Sequence, residues 1–202
     1  MLLKPQYNAN SKKMGSLSII VGCMYSQKST SLLRELSADA AVGLKVLYVN
    51  HTIDTRSKDA FSTHNPLIKL DGEIKGMKFI KSTELGGLDV SEFDVIGIDE
   101  AQFFNDLFET VKIWVDRDSK KVIVVGLDGN SNREKFGQIL DLIPLSDSIV
   151  KLRPYCKPCA DASPRKLSLA CFTLRTAKQD DVILVGGSDC YLPVCRLCYL
   201  RM

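Results

Sequence analysis

The stretch Gly22-Cys23-Met24-Tyr25-Ser26-Gln27-Lys28-Ser29 follows an apolar run, Leu17–Val21, and opens a helix-like segment. A strand, a loop and a helix in this order are typical of the phosphate-binding P-loop, whose pattern is G-x-x-x-x-G-K-[ST]. The first glycine, the lysine and the serine keep that pattern, and Gln27 replaces its second glycine. Backbone N–H groups would surround the phosphates, while Lys28 reaches the β- and γ-phosphates and Ser29 holds Mg²⁺. The stretch therefore favours nucleoside-triphosphate binding over a chance Lys-Ser pair after a strand.

Two acidic residues follow a second informative run. Phe93–Ile98 is apolar enough for a buried strand, and Asp99 and Glu100 come directly after it. In an open parallel sheet, ligands bind at the carboxyl ends of the strands. Asp99 suits Mg²⁺ coordination, and Glu100 is placed to accept a proton from a substrate hydroxyl. A lone Asp-Glu pair would indicate a solvated turn, but with a P-loop upstream it predicts phosphoryl transfer.

Short apolar runs alternate with longer amphipathic runs along most of the chain. This alternation predicts an α/β fold, a P-loop kinase-like parallel sheet flanked by helices. Residues 51–76 are polar and predict mostly loop. We expect strands at Leu17–Val21, Lys45–Val49, Phe93–Ile98 and Val122–Gly126, and helices at Ser29–Val42, Phe104–Asp116 and Phe136–Leu142, the last ending before Pro144.

The composition changes near residue 150, where cysteines, prolines and basic residues replace the βα alternation. We therefore expect a flexible leader at 1–14, a nucleotide-binding α/β domain at 15–150 and a small zinc-binding lobe at 151–202. Within that lobe, Ser168–Arg175 and Val182–Val185 are expected to form a hairpin.

Overall composition excludes several classes of protein. The chain has 202 residues, of which 45% are hydrophobic and 25% charged, as in ordinary globular proteins. Its net charge of +3 is too small to indicate nucleic-acid or membrane partners. No apolar run is long enough to span a membrane, and the N-terminus lacks the features of a signal peptide. We expect a cytoplasmic protein.

Four of the seven cysteines form two C-x-x-C pairs, Cys156/Cys159 and Cys195/Cys198. An odd cysteine count without a secretory signal argues against a disulfide framework. Two such pairs are a strong signature of a structural zinc site in a reducing compartment. Two redox-active pairs, or a nucleic-acid-binding zinc knuckle, are the weaker alternatives.

These motifs together resemble the type II thymidine kinases, the cytosolic class that large DNA viruses and many bacteria also carry. The likeness covers about residues 15–202, and its five stretches follow the order of the family. The resemblance implies transfer of the γ-phosphate of ATP to the 5′-hydroxyl of thymidine or deoxyuridine. The five stretches are Gly15–Leu36, Asp54–Arg56, Asp94–Phe104 (DVIGIDEAQFF), Gly126–Leu152 (GLDGNSNREKFGQILDLIPLSDSIVKL) and Val185–Tyr199 (VGGSDCYLPVCRLCY).

The same resemblance implies roles for individual residues, with Glu100 as the catalytic base. It implies ATP and Mg²⁺ contacts at Gly22, Cys23, Met24, Tyr25, Ser26, Gln27, Lys28, Ser29, Asp54, Thr55, Arg56, Asp99, Glu100, Ala101 and Gln102. It implies nucleoside contacts at Met24, Phe103, Leu127, Ser131, Thr173, Val182, Ile183, Leu184, Val185, Gly186 and Tyr191, with Tyr191 in a lasso over the substrate. It implies a zinc ribbon formed by Cys156, Cys159, Cys195 and Cys198, and a homo-oligomer, either dimer or tetramer.

The chain departs from the family at several positions. Gln27 replaces the P-loop glycine, and Ser131 stands where the family carries an aromatic residue that packs on the substrate. Asn65 replaces an acidic residue, and the segment between Cys159 and Phe172 is longer than usual by about seven residues. These departures keep two alternatives open, a catalytically impaired nucleotide-binding paralogue and a kinase with shifted nucleoside specificity.

Overall fold

The computed structural model of the chain describes residues 14–54, 76–176 and 190–201. Its strands are β1 (Ser16–Val21), β2 (Val46–His51), β3 (Met77–Ser82), β4 (Val95–Ile98), β5 (Lys121–Gly126), β6 (Ser148–Lys151), β7 (Phe172–Arg175) and β8 (Tyr191–Val194). Its helices are α1 (Lys28–Ala41), α2 (Leu107–Lys112), α3 (Lys157–Asp161) and α4 (Arg196–Arg201). Six strands form one sheet in the order β3-β2-β4-β5-β1-β6, and all neighbouring pairs are parallel. The expected α/β class with a parallel sheet and a small appended lobe is confirmed.

The central strands are buried on both faces, so their apolar residues alternate between two cores. In β2, Leu47 and Val49 pack on the side of α2, whereas Val46 and Tyr48 pack on the side of α1. The buried face of α1 consists of Leu32, Leu33 and Leu36. Because β1 and β4 both run parallel to β5, their carboxyl ends lie on one edge of the sheet.

Helix α1 lies close to the sheet because β4 carries a glycine at the crossing point. A Cβ added at Gly97 would lie 2.5 Å from Cδ1 of Leu36 and 3.0 Å from Cδ1 of Leu32. Only a residue without a side chain allows this contact. The close packing fixes the start of α1 relative to Asp99, two residues beyond Gly97.

Two strands of the sheet were not predicted from the sequence, and both lie at its edges. Among the described strands, β3 pairs with β2 alone. All four residues of β6 are exposed, although β6 pairs with β1 along its length. An edge strand is incompletely covered, so it lacks the long apolar run that identifies a central strand. Strand β6 ends beside the boundary expected near residue 150, and that boundary stays a prediction.

Two predicted helices differ in the structure. The helix expected at Phe104–Asp116 is α2 followed by one π turn, Ile113–Arg117, in which the Asp118 N–H donates to the Ile113 carbonyl at 3.1 Å. The helix expected to end before Pro144 is a 3₁₀ segment, Ile139–Leu145, that contains this proline. Pro144 is tolerated because it follows Ile143 in a turn closed by the Ser146 N–H, a position that needs no donor.

The lobe after the sheet consists of short elements. Strands β7 and β8 pair antiparallel, with Phe172 opposite Val194 and Arg175 opposite Tyr191. The expected partner of β7 was Val182–Val185, which lies outside the described residues. Among the described helices, none has both the length and the apolar character to cross a bilayer.

Candidate functional site

The loop between β1 and α1 has the tight geometry that phosphate binding requires. Gly22 has a φ of 155°, and a Cβ there would lie 2.4 Å from the Leu152 carbonyl oxygen and 2.8 Å from Oγ of Ser26. The Lys28 ammonium donates a hydrogen bond to the Cys23 carbonyl at 3.0 Å. The lysine therefore folds back over its own loop, and the loop amides lead into the N-terminus of α1.

Several non-glycine residues around this loop have left-handed backbone conformations. Tyr25 has a φ of 66°, Gln27 of 61°, Glu100 of 50° and Arg133 of 66°, and the other non-glycine case among the described residues is Ser119. Such conformations cost about 1–3 kcal/mol each and persist where the surrounding structure enforces them. Their concentration around one edge of the sheet identifies that edge as the candidate functional site.

Asp99 is the most tightly held acid of this edge, with a residue exposure of 2%. Its carboxylate accepts the Tyr48 hydroxyl at 2.6 Å and the Glu100 N–H at 2.9 Å, and it also accepts a hydrogen bond from the Ser29 side chain. Burial, with the nearby Glu100 charge, raises the pKa of Asp99 to about 6, and these hydrogen bonds oppose the rise. The P-loop serine and the acid at the end of β4 thus meet directly.

Lys28 lies in the field of the same acids. Burial lowers the pKa of its ammonium group, whereas the charges of Glu100 and Asp99 act in the opposite direction. One strand, β5, separates β1 from β4 in the sheet, so the loop and the acids face each other across its carboxyl edge. A cation and two carboxylates at a helix N-terminus can bind a phosphate chain together with a divalent metal.

Gln102 joins Glu100 to the end of β5. Its Nε2 donates to Oε2 of Glu100 at 2.7 Å, and its Oε1 accepts the Leu127 N–H at 2.9 Å. The residue is only 4% exposed. Both ends of its carboxamide are therefore engaged within the protein.

Asp54 is buried three residues beyond the end of β2. Its carboxylate accepts from Nδ2 of Asn50 at 3.1 Å, and its carbonyl accepts from the Lys81 ammonium at 2.9 Å. Its predicted companions, Thr55 and Arg56, lie outside the described residues.

Aromatic rings form one wall beside the acids. The Phe103 ring meets the Phe136 ring edge-on, with centroids 5.5 Å apart, and the His51 ring at 5.7 Å. His51 also contacts the Phe104 ring edge-on at 4.8 Å, and burial lowers its pKa. An aromatic wall next to a carboxylate is suited to a flat heterocyclic ligand.

The small lobe contacts the phosphate loop directly. The Met24 N–H donates to Oγ1 of the buried Thr173 in β7 at 3.0 Å. Cys23 packs in the core of the lobe with Cys156 and Val194, and this burial raises the pKa of its thiol to about 11. The loop is therefore supported by the lobe as well as by the sheet.

Tyr191 is 9% exposed at the start of β8, with the Arg175 guanidinium 5.8 Å from its ring centroid. The segment Val182–Gly186, which was expected to contact the nucleoside, lies outside the described residues.

The four predicted metal ligands converge in one cluster. The sulfurs of Cys156, Cys159, Cys195 and Cys198 all lie within 4.8 Å of one another. Cys159 is 3.5 Å from Cys198 and 3.9 Å from Cys195. A tetrahedral site with Zn–S bonds of about 2.3 Å requires S–S distances of about 3.8 Å. The cluster therefore fits Zn²⁺ in both ligand type and spacing.

The charge state of this cluster also suits a cation. The Cys198 N–H and neighbouring thiols lower the pKa of Cys195 to about 7, while burial raises the pKa of Cys198 to about 12. Four thiols so close together cannot all ionise without a compensating positive charge.

Ser131 lies in a loop that the lobe holds in place. The Tyr199 hydroxyl donates to the Ser131 carbonyl at 2.7 Å, and the Arg133 guanidinium lies 4.4 Å from the Tyr199 ring centroid. An ion pair between Asp128 and Lys151 ties the same loop to β6.

Sequence reasoning missed several of these supporting residues. Tyr48 is the only hydroxyl-bearing residue in an otherwise aliphatic run, and that was the available signal for its contact with Asp99. Asn50 is likewise a polar residue next to this apolar run, and it is fully buried near the end of the same strand, so it offered the same kind of signal. No signal pointed to Tyr199 or Lys151, since their partners lie far away in sequence.

The geometry of the phosphate loop and the two acids defines a class of protein. A strand, a phosphate loop and a helix, whose Lys-Ser pair faces an acid-tipped neighbouring strand, characterise P-loop nucleotide-binding phosphotransferases.

Comparison with known proteins narrows this class. A family model described as "Thymidine kinase" matches residues 15–199. Thymidine kinase a of Arabidopsis thaliana is 41% identical over 188 residues, covering 92% of this chain and 75% of the plant protein. The cytosolic thymidine kinase of Homo sapiens is 36% identical over 191 residues, covering 95% and 76%. The thymidine kinase of vaccinia virus (strain Western Reserve) is 33% identical over 188 residues, covering 92% and 97%.

The chain therefore belongs to the thymidine kinase family, and it is an ATP-dependent phosphotransferase.

Proposed function

We propose that this protein transfers the γ-phosphate of ATP to the 5′-hydroxyl of thymidine or deoxyuridine. The contact between Ser29 of the phosphate loop and Asp99 at the end of β4, with Glu100 adjacent, is the observation that carries this proposal. It brings the residues expected for phosphate, metal and proton transfer to one edge of the sheet.

The triphosphate would lie along the loop Gly22–Ser29, whose amides and Lys28 bind its oxygens. The buried Asp54, with Thr55 and Arg56, would complete the nucleotide contacts. Ser29 and Asp99 would hold Mg²⁺, which would neutralise charge on the phosphate oxygens. Lys28 would then exchange its contact with the Cys23 carbonyl for a phosphate oxygen, at little cost because one acceptor replaces another.

Glu100 would accept the proton of the 5′-hydroxyl as that oxygen attacks the γ-phosphorus. Its carboxylate already accepts a hydrogen bond from Gln102, and Asp99 binds its backbone N–H. General-base catalysis of this kind contributes about 10²–10⁴-fold to a rate. Ala101 and Gln102, the other expected contacts to ATP and Mg²⁺, would complete this part of the site.

The nucleoside would lie against the aromatic wall that Phe103 begins. Tyr191 would close over it, and backbone groups of the segment Val182–Gly186 would read the edge of the pyrimidine. Zn²⁺ bound by Cys156, Cys159, Cys195 and Cys198 would anchor the lobe that carries this closing segment. The remaining expected contacts are Met24, Leu127, Ser131 and Thr173.

A nucleoside-by-nucleoside phosphorylation assay with zinc-replete protein tests the proposal. We expect ATP- and Mg²⁺-dependent formation of thymidine monophosphate. Glu100→Gln should abolish turnover while calorimetric titration still detects thymidine and ATP binding. Binding of nucleotide without turnover of any nucleoside at millimolar concentration would instead identify a non-enzymatic paralogue.

A second candidate, a shifted nucleoside preference, is favoured by Ser131, which replaces an aromatic partner worth about 0.5–1.5 kcal/mol of stacking. The same assay decides it, because efficient use of a bulkier deoxynucleoside supports the shift and exclusive use of thymidine rejects it. We also propose that the enzyme works as a homo-oligomer in the cytoplasm, which gel filtration and cell fractionation would test.

A further inference from the structure

We propose that Gln102 is a positioning residue that aligns Glu100 with the floor of the nucleoside pocket, a role distinct from nucleotide or metal binding. The proposal rests on the proposed function of Glu100 as the base. The observation behind it is a continuous chain of hydrogen bonds from the Leu127 N–H through the Gln102 carboxamide to the Glu100 carboxylate.

The orientation of the carboxamide follows from its partners. A backbone N–H can only donate, so the atom that Leu127 contacts must be the oxygen of Gln102. The nitrogen then necessarily faces Glu100, whose carboxylate oxygen at 2.7 Å accepts. The protein thus fixes which end of the amide faces the base, and this end stabilises a carboxylate through a charge-assisted hydrogen bond.

Gln102 is also held by close packing on both sides. A Cβ at Gly126 would lie 2.4 Å from its Oε1, and a Cβ at Gly137 would lie 2.2 Å from its carbonyl oxygen. Gly137 itself has a φ of 62°, which favours glycine. Two glycines therefore make room for this one residue, so its side chain has little freedom to turn toward an incoming ligand.

The arrangement has a mechanistic consequence. Leu127 follows β5 directly and is an expected pocket residue, so the pocket floor and the base are linked by only two hydrogen bonds. Misplacement of a catalytic group by about 1 Å can reduce a rate about 100-fold. Loss of the Gln102 contact should therefore reduce turnover and leave substrate binding intact.

Two nearly isosteric variants separate this role from a purely structural one. Gln102→Met removes both hydrogen bonds, whereas Gln102→Glu keeps an acceptor for the Leu127 N–H and places a second carboxylate against Glu100. If Gln102 served only to hold the loop at Leu127, its loss would disturb the pocket that Leu127 is expected to line and would appear mainly as a rise in the KM for thymidine. If it positions the base, the loss appears in kcat in both variants, and it is greater in the glutamate variant because its charge also drives Glu100 away.

We expect kcat for thymidine to fall about 10- to 100-fold in Gln102→Met and further in Gln102→Glu. In each variant, the KM for thymidine and the KM for ATP should stay within about threefold of the wild-type values. Urea denaturation monitors folding of each variant. A rise in KM as the main effect, or a glutamate variant more active than the methionine variant, overturns the proposal.

A spectroscopic arm does not depend on activity. In the full-length protein, the Gln102 side-chain amide proton that faces Glu100 should resonate downfield, and it should move upfield in Glu100→Ala but not in the surface control Glu109→Ala. An unchanged resonance in Glu100→Ala overturns the contact. If wild type phosphorylates no nucleoside while this signature is present, the proposed function fails and the Gln102–Glu100 contact stands.

Discussion

Replacing Gln27 by glycine tests whether the phosphate loop accommodates its unusual residue. The structure places Gln27 in the left-handed region, with φ 61° and ψ 30°, and its side chain is exposed and makes no capping hydrogen bond to α1. Glycine adopts this conformation without strain. Gln27→Gly should therefore preserve the loop and alter mainly its energy.

The magnitude follows from two opposing terms. A left-handed conformation costs a non-glycine residue about 1–2 kcal/mol, and glycine removes this strain. Glycine also gives the unfolded chain more freedom, which destabilises the folded state by about 0.5–1 kcal/mol. The net gain is roughly 0.5–1 kcal/mol, which corresponds to a rise in Tm of about 1–4 °C for a chain of this size. Because the loop amides are already in place, kcat and the KM for ATP should change less than about threefold.

Thermal melts and steady-state kinetics, measured on the same zinc-replete preparations, provide the assay. Gln27→Asn and Gln27→Ala are the matched controls, because asparagine tolerates the left-handed region and alanine does not. Stability should rank glycine and asparagine above wild type, with alanine at or below it. A gain of more than tenfold in kcat/KM for ATP with glycine would refute this reasoning, since it would mean that the native loop is impaired.

Two further perturbations probe the acids and the lobe. The pKa of Asp99 in the folded state, about 6, lies above its ordinary 3.8, so stability is lost as pH rises through this interval. Asp99→Asn should therefore raise the free energy of unfolding of the magnesium-free protein by roughly 3 kcal/mol at pH 7.5, but not at pH 3.5, in urea titrations; destabilisation at pH 7.5 would contradict this. Thr173→Val leaves the Met24 N–H without its acceptor and should weaken ATP binding about 5- to 100-fold in calorimetry without nucleoside. Thr173→Ser keeps the acceptor and should bind ATP as wild type does; equal affinities of both variants would show that the lobe does not support the loop.

The sequence predicted the parts of the fold whose signal is local. The apolar runs identified β1, β2, β4 and β5, because each lies in the interior of the sheet and is covered on both faces. The sequence also predicted that the phosphate loop and Asp99 lie close together, because parallel strands bring their carboxyl ends to one edge of the sheet. The spacing of the two C-x-x-C pairs predicted the cysteine cluster in the same direct way.

The remaining features depend on distant contacts. Strand β3 reads Met-Lys-Phe-Ile-Lys-Ser, and its two lysines interrupt the apolar pattern, although Met77 is buried and the strand pairs with β2 along its length. The π turn after α2 inserts one residue into a regular helical pattern, which the apolar period cannot distinguish from a continuing helix. The Tyr48–Asp99 bond joins residues 51 positions apart and becomes visible only when β2 and β4 are placed side by side.

Hydrogen bonds connect the parts of the site that are proposed to bind phosphate, to accept the proton and to close over the nucleoside. Asp99 and Ser29 join the sheet to the phosphate loop, Gln102 joins the base to the end of β5, and Thr173 joins the loop to the small lobe. Among the described residues, the buried core of the lobe consists of Cys156, Ala170 and Val194 together with Cys23 of the phosphate loop. Because a metal bound by the four cysteines would stabilise this lobe, it would also stabilise the backbone that binds phosphate, although the cysteines contact no phosphate themselves. The small lobe should therefore influence nucleotide affinity as well as closure over the nucleoside.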